Sequence, residues 1–327
     1  MIRAVATLDI DGPARASLSA ALAPYASLRM LEANAHLADS EAEILIAHSP
    51  PAGRAGLPRL RWLQLTTAGI DHLQFDHSWD GVTITTASGL FTSAIAEYVI
   101  GSLFFCAQRV PARLSQARAR SWEDRWDLSG RPLAGSTLVL VGYGSIGREV
   151  ARLASALRMR IIAVKARPDV LAASGFVEAG TGDPDGSLPE QVVGNGRLAE
   201  ITALADWLVI SLPLTERTRH LVDARVLAAM QPGAWLVNVG RGAVVDESAL
   251  VEALENRAFG GAILDVFSEE PLPRDHPLWS TPNTVVTPHI SGGLERFDVL
   301  GQIVARNMRR LLSGEPLLNA IDRARGY

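Results

Sequence analysis

Two series of short apolar runs, separated by a helical stretch, organise this chain. In the first, "AVATLDI", "AEILIAHS", "RWLQLTT" and "GVTITTA" are bounded by turn-rich segments, and the pattern predicts strands. "GPARASLSAALAPY" repeats its apolar positions at helical spacing. The helical period then runs from Thr92 to about Ala119 through "SAIAEYVIGSLFFCAQRV", interrupted at Pro111, which lacks the N–H a helix interior needs. Trp122 and Trp126 follow in a linker that ends at "RPLAG". The second series comprises "TLVLVG", "RIIAV", "DWLVISLP", "AWLVNVG", "GGAILDV" and "NTVVTP", with helical stretches such as "SALVEALENRA" between them. Nearly continuous apolar strands alternating with helices predict a parallel sheet covered on both faces. Asp223 and Asp246 stand where helix N-caps are expected. A last amphipathic helix, "GLERFDVLGQIVARNMRRLLSGEP", is stopped by Gly314 and Pro316. Gly175 to Gly196, rich in Gly, Pro and Asp, predicts an exposed loop with room for one short helix.

Composition narrows the classes. At 327 residues the chain accommodates two domains, and 48% apolar against 20% charged residues suffices for a large core. A formal charge of −4 supplies no broad basic field for nucleic acid or an anionic membrane. One cysteine, Cys106, has no partner for an internal disulfide or a cysteine metal cluster, and its apolar neighbours predict a buried thiol. The other histidines lack metal-ligand spacing, so no metal is expected. No apolar run approaches the ~20 residues of a membrane span, and "MIRAVATLDIDG" does not have the apolar core of a signal peptide. The expectation is a cytoplasmic protein.

The chemistry begins at "STLVLVGYGSIGREV". Gly142, Gly144 and Gly147 form G-x-G-x-x-G between an apolar strand and a helical stretch, the context in which that motif holds a dinucleotide. Gly142 allows the tight turn, Gly144 lets the backbone approach a pyrophosphate, and Gly147 brings the helix close to its strand. The helix opening near Ser145 directs free N–H groups at that pyrophosphate. The next strand ends in Lys165 and Arg167. Lys165 lies eighteen residues past Gly147, where an NAD enzyme places the acid that binds the ribose hydroxyls. Two cations there suit the 2′-phosphate of NADP, to which each can donate a charge-assisted hydrogen bond, so NADP(H) is favoured over NAD(H).

Ligands of an open parallel sheet bind beyond the carboxyl ends of its strands. Arg241 follows "AWLVNVG", Asp265 and then Glu270 follow "GGAIL", and His289 follows "NTVVTP". Taken singly, these are ordinary residues: a surface charge, a solvated turn, a buried donor. Together they can grip a carboxylate bidentately, transfer a proton near neutrality and fix the imidazole that does so.

In this order the stretches "GYGSIGREVA", "SLPLTERTRHLVD", "MQPGAWLVNVGRGAVVDESAL", "GAILDVFSEEPLP" and "HPLWSTPNTVVTPHISG" resemble the D-isomer-specific 2-hydroxyacid dehydrogenases, in particular NADP-linked glyoxylate/hydroxypyruvate reductase-like members. The resemblance implies a doubly wound parallel-sheet (Rossmann) cofactor domain, residues 101–290, inserted into a smaller flavodoxin-like α/β substrate domain, residues 1–100 and 291–327. It implies Arg241, Glu270 and His289 as the catalytic trio, with Arg241 and His289 also binding substrate. "WLQLTTAGIDHL" resembles the loop whose N–H groups take the substrate carboxylate, here around Ala68 and Gly69. Asp265 is implied to meet the nicotinamide carboxamide. Ile146, Pro213, Thr218, Val239 and Gly292 join the glycines, Ser145, Lys165 and Arg167 on the implied cofactor side. The family usually has Asn where Thr86 stands. The implied oligomer is a homodimer built through the cofactor domains, and the implied substrate is a small 2-oxo or 2-hydroxy acid.

Two other readings fit the same motifs. One is an NAD-linked dehydrogenase of the phosphoglycerate type. The other is a nucleotide-sensing binding protein of the corepressor type, which turnover of a 2-oxo acid would exclude.

Overall fold

The computed structural model describes all residues except 1, 33–38, 40, 52, 74, 123–127, 294–295, 324–325 and 327, so Trp126 of the expected linker lies outside the described residues. The chain forms two units: Met1–Phe91, Ser174–Glu178 and Leu294–Tyr327 in the first, Thr92–Ala173 and Ala179–Gly293 in the second.

In unit 1, β1 (Ile2–Thr7), α1 (Gly12–Leu22), β2 (Ala26–Leu31), β3 (Ile44–Ala47), β4 (Trp62–Leu65) and β5 (Thr83–Thr85) follow in order. The all-parallel sheet runs β2-β1-β3-β4-β5, the flavodoxin-like order. Successive side chains of a strand face opposite sides. Ile44, Ile46 and Trp62 therefore pack with Leu18 and Leu22 of α1, while Leu45, Leu63 and Leu65 face Leu57, Trp79 and Ile84. Asp11 starts α1 by accepting the Ala14 N–H at 2.8 Å.

Unit 2 opens with α2 (Thr92–Ala107) and α3 (Val110–Ala119). The break falls at Arg109, which takes a left-handed φ of 50°, and Pro111 sits in the first turn of α3, where its missing N–H costs nothing. The sequence boundary at residue 100 thus lies inside α2, a helix that belongs wholly to unit 2. Then come β6 (Thr137–Val141), α4 (Ser145–Ala156), β7 (Arg160–Val164), β8 (Gln191–Val193), α5 (Leu198–Thr202), β9 (Trp207–Ile210), α6 (Ala224–Ala228), β10 (Trp235–Asn238), α7 (Glu247–Glu255), β11 (Gly261–Leu264) and β12 (Thr284–Val286). The seven-stranded parallel sheet has the order β12-β11-β10-β9-β6-β7-β8. The chain winds outward one way from β6 and then the other way from β9, which makes the gap between them the topological switch point. Leu138 and Leu140 face Leu103 of α2 and Val150 and Ala154 of α4. Val139 and Val141 face Val226 of α6 and Leu250 and Leu254 of α7. Asp223 caps α6 through the Val226 N–H at 2.9 Å, and Asp246 caps α7 through Ala249 at 3.1 Å.

The last helix, α8 (Phe297–Ser313), returns to unit 1 and buries Val299, Leu300, Ile303, Val304 and Met308 in the core shared with α1. It ends at Gly314, whose φ of 72° is left-handed.

The expected exposed loop at Gly175–Gly196 needs correction. Gln191–Val193 is the edge strand β8, and Phe176 and Asp183 are only 2% and 5% exposed. Gly, Pro and Asp report an irregular backbone path; they do not report whether that path is covered. Phe176 packs in the unit 1 core under the Arg306 guanidinium. Asp183 is held by Tyr143 and Arg148 of the glycine turn and α4.

Candidate active site

The candidate site residues of unit 2 lie in the segments that follow the carboxyl ends of its parallel strands. The glycine turn follows β6, Lys165 and Arg167 follow β7, Pro213 and Thr218 follow β9, Val239 and Arg241 follow β10, Asp265 and Glu270 follow β11, and His289 and Gly292 follow β12.

The three glycines have three distinct physical reasons. Gly142 has a φ of 106°, a backbone closed to other residues without strain. A Cβ on Gly147 would sit 2.2 Å from the Gly142 carbonyl oxygen, so nothing larger lets α4 approach β6. A Cβ on Gly144 would meet no protein atom within 4 Å, and Gly144 caps α4 without a side-chain hydrogen bond. That leaves an open approach to the first-turn N–H groups of a 12-residue helix, a fit for a pyrophosphate. Ile146 packs beneath on the α2–α4 core, Val239 is buried, and Thr218 donates to the Pro213 carbonyl at 2.7 Å.

Lys165, Arg148 and Arg167 bring three cations together after β7. The Lys165 ammonium donates to the Val170 carbonyl, while Arg148, 4% exposed in the first turn of α4, donates to the carbonyls of Leu171 and Asp183. Burial, then repulsion from Arg148 and Arg167, holds the Lys165 pKa below its ordinary value, with Asp169 acting the other way. Arg167 is exposed, and among the described residues no carboxylate comes within ion-pair distance of Arg148, Lys165 or Arg167. Tyr143, inside the glycine turn, donates to Asp183 at 2.6 Å and lies under the Arg148 guanidinium. Arg217 and Arg219 are exposed.

Arg241 is framed by backbone on both sides. A Cβ on Gly240 would lie 2.7 Å from the Leu212 carbonyl oxygen, and one on Gly242 would lie 1.8 Å from the Phe267 carbonyl carbon. Asn238 ties the turn together, donating to the Arg241 carbonyl at 3.1 Å and accepting the Gly240 N–H at 3.1 Å. The guanidinium donates to the Gly240 carbonyl at 2.9 Å.

His289 and Glu270 meet through Nδ1 and Oε2 at 2.7 Å. The other carboxylate oxygen accepts the Phe267 N–H at 2.9 Å, so Glu270 is fixed before it meets the ring. With Nδ1 engaged, Nε2 of His289 is left to exchange a proton with a ligand. The His289 backbone is left-handed, with a φ of 52°, a conformation that costs of order 1–3 kcal/mol outside glycine and needs surrounding bonds to hold it.

Asp265 supplies those bonds. It is fully buried, and its carbonyl accepts the His289 N–H at 2.9 Å. Its Oδ1 accepts from the Thr287 hydroxyl at 2.6 Å and the Ile290 N–H at 3.0 Å, and its Oδ2 accepts the Ser291 N–H at 2.9 Å. A carboxylate offers about four acceptor sites. Among the described residues three are used, and with the side chain fully buried these bonds make Asp265 the anchor of the turn.

In unit 1, Ala68 and Gly69 follow β4 in an irregular turn. Among the described residues their N–H groups donate to nothing, and the Thr67 hydroxyl beside them is buried without a partner. His48, after β3, contacts the Thr66 hydroxyl at 3.1 Å. Burial pushes the Cys106 thiol up to about 12, consistent with an inert core residue. Asn238, Tyr98 and Thr287 went unremarked in the sequence; only the first is a buried polar residue at a strand's end, and its type alone gave no signal.

A family model described as the NAD-binding domain of the D-isomer specific 2-hydroxyacid dehydrogenases matches residues 100–291. The (S)-sulfolactate dehydrogenase of Chromohalobacter salexigens is 36% identical over 260 residues, covering 79% of each chain. A glyoxylate reductase of Thermofilum pendens is 32% identical over 268 residues, 79% of this chain and 74% of that one. Among solved structures, a D-isomer specific 2-hydroxyacid dehydrogenase from Xanthobacter autotrophicus in complex with NADPH and MES superposes with a TM-score of 0.84 at 28% identity, over 99% of both chains. An NADPH-dependent glyoxylate/hydroxypyruvate reductase from Sinorhizobium meliloti, in complex with NADP and sulfate, gives 0.77 at 25% identity over 100% of both.

Proposed function

Because this chain belongs to the D-isomer specific 2-hydroxyacid dehydrogenase family of NAD(P)-dependent oxidoreductases, we propose that it reduces a small 2-oxo acid of the glyoxylate or hydroxypyruvate type, with NADP(H) favoured over NAD(H). The observation that carries this reading is the 2.7 Å His289–Glu270 contact, held at the carboxyl ends of strands in the sheet that carries the glycine turn. The nicotinamide, when bound, supplies the hydride for C2 of the acid.

The residues of this chain supply the rest. The glycine turn and the N-terminus of α4 hold the pyrophosphate, and buried Asp265 fixes the turn that carries His289. Arg241 binds the substrate carboxylate through paired hydrogen bonds. Arg241 also places positive charge beside the carbonyl oxygen as negative charge grows there. Nε2 of His289 delivers a proton to that oxygen, and Glu270 stabilises the imidazolium through Nδ1. General acid help of this kind is worth ~10²–10⁴-fold.

The NADP(H) preference rests on the cations around β7. An acid after β7 would bind a ribose 2′-hydroxyl and repel a 2′-phosphate; Lys165 and Arg167 reverse both effects. The NADPH and NADP bound in the two structural neighbours support the same choice. A homodimer built through the cofactor domains completes the reading, and light scattering on the purified protein checks it; a monomer mass removes it.

The decisive experiment measures initial rates of NADPH and NADH oxidation with glyoxylate, hydroxypyruvate and a bulkier 2-oxo acid, for the wild type and Lys165→Asp. The expected result is faster NADPH turnover on the small acids, lost in the variant. Faster NADH turnover, unchanged by the substitution, would replace this reading with an NAD-linked dehydrogenase. Nucleotide binding without turnover of any acid would replace it with a sensing protein.

A further inference from the structure

We infer that Tyr98 is a positioning residue for His289, acting from α2 through the Thr287 hydroxyl and the Asp265 carboxylate. The inference deepens the proposed function, since it takes His289 as the proton donor. Tyr98 is half-buried on α2, and its hydroxyl lies 2.7 Å from that of Thr287. Thr287 in turn donates to Asp265 Oδ1 at 2.6 Å. A hydroxyl has one proton to give. Thr287 spends its proton on the carboxylate, so the proton in the Tyr98–Thr287 contact comes from Tyr98. Burial pushes the Tyr98 hydroxyl pKa upward, against the Thr287 bond, which keeps that proton in place. The chain of donors therefore runs one way, from helix to carboxylate.

What this chain secures is the turn that carries the imidazole. Asp265 receives Thr287, Ile290 and Ser291 on its carboxylate and His289 on its carbonyl, so four of the five residues from 287 to 291 hang on one fully buried side chain and its backbone. The turn includes the left-handed His289, whose backbone reverts unless these bonds persist. Thr287 has a single rotatable hydroxyl, and Tyr98 fixes which way it points. Without Tyr98 the Thr287 proton is free to rotate away, Asp265 loses its shortest bond, and Nε2 of His289 loses its register with the carbonyl oxygen it must protonate. A displacement of that kind slows proton transfer and leaves nucleotide binding intact.

The test compares wild type, Tyr98→Phe, Thr287→Val, Thr287→Ser and the Tyr98→Phe/Thr287→Val double variant. Turnover, NADPH affinity by fluorescence, and amide hydrogen exchange of the peptide spanning 286–293 are measured on each. The expected result for Tyr98→Phe is a kcat lower by about three- to tenfold, the worth of one hydrogen bond, with NADPH affinity and melting temperature near wild type. Thr287→Val should match it, Thr287→Ser should restore wild-type values, and the double variant should be no worse than Thr287→Val alone. Exchange in the 286–293 peptide should accelerate in every variant that lacks one of the two hydroxyls. Unchanged kcat and exchange in Tyr98→Phe would overturn the inference, as would additive losses in the double variant. If the wild type turns over no acid, the proposed reaction falls; exchange then decides the network alone, faster exchange supporting it and wild-type exchange overturning it.

Discussion

Glu270 commits one oxygen to the Phe267 N–H and the other to His289, which makes it both a hinge pin and a counter-charge. Glu270→Gln separates the two roles, since the amide oxygen can still accept the N–H while the charge is gone. A hydrogen bond to a charged group is worth ~1.5–3 kcal/mol, so kcat should fall by about 10- to 150-fold, with melting temperature little changed. Measured steady-state rates at fixed pH check this, and an unaltered kcat would remove Glu270 from the proton-transfer step. Glu270 and His289 are legible in the sequence as candidates because each follows a strand and carries a chemistry the others lack. Tyr98, Thr287 and Asn238 are not, because their importance lies in which hydroxyl or amide meets which neighbour. Tyr98 and Thr287 are 189 positions apart, and no local pattern announces such a contact. Asp265 was visible as a candidate, but its hold on the His289 turn emerged only with the backbone in place.

At the scale of elements, the glycine turn offers a paired test. Ala at Gly144 puts a methyl where no protein atom lies within 4 Å, at a φ of −87° that any residue adopts. Gly144→Ala should melt like the wild type while nucleotide affinity drops, because the methyl occupies the approach to the pyrophosphate. Gly147→Ala instead drives a methyl to 2.2 Å from a carbonyl oxygen and should lower the melting temperature sharply. Equal effects on melting would show that the two positions do not differ in role. The strands legible as apolar runs include the central β6, β9, β10 and β11, covered on both faces. The two missed, β2 and β8, are edge strands whose exposed positions break the run. The segment between β7 and β8 differs from its expected exposure for a related reason: its fastening is polar. Burial alone would raise the Asp183 carboxyl, but the Tyr143 hydroxyl, the Leu188 and Ser187 N–H groups and Arg148 outweigh it and hold the pKa below 3.8. A carboxyl with a depressed folded pKa contributes stability that is complete above its unfolded value and vanishes as pH falls through the folded one. Asp183→Asn should therefore be less stable than wild type at neutral pH, with the gap in melting temperature closing as pH falls past 3.8. A gap that stays constant into acid would mean the charge contributes nothing.

Across the whole molecule, the chain passes between its two units four times, at 91/92, 173/174, 178/179 and 293/294. The middle two crossings enclose five residues, Ser174–Glu178, which leave the cofactor unit only to complete the core of the other. Phe176 is the reason they do so. Its ring is 2% exposed among the side chains that α1, β3, β4 and α8 bury, and its N–H donates to Asn319 at 2.9 Å. Gly89, at a φ of 102°, leaves room for the ring, since a Cβ there would lie 2.8 Å from it. Glu178 meets Arg296 at 3.0 Å just beyond. Unit 1 is thus completed by a side chain encoded in the middle of unit 2, and Phe176→Ala should cost about 3–5 kcal/mol in that core. Location distinguishes this from general damage. Amide exchange should accelerate in peptides covering β3, β4 and α8, while β6 and β9, whose strands pack in separate clusters, keep their protection. Equal acceleration everywhere would show that the two units open as a single block. Unchanged exchange in β3, β4 and α8 would show that Phe176 contributes nothing to the core that encloses it.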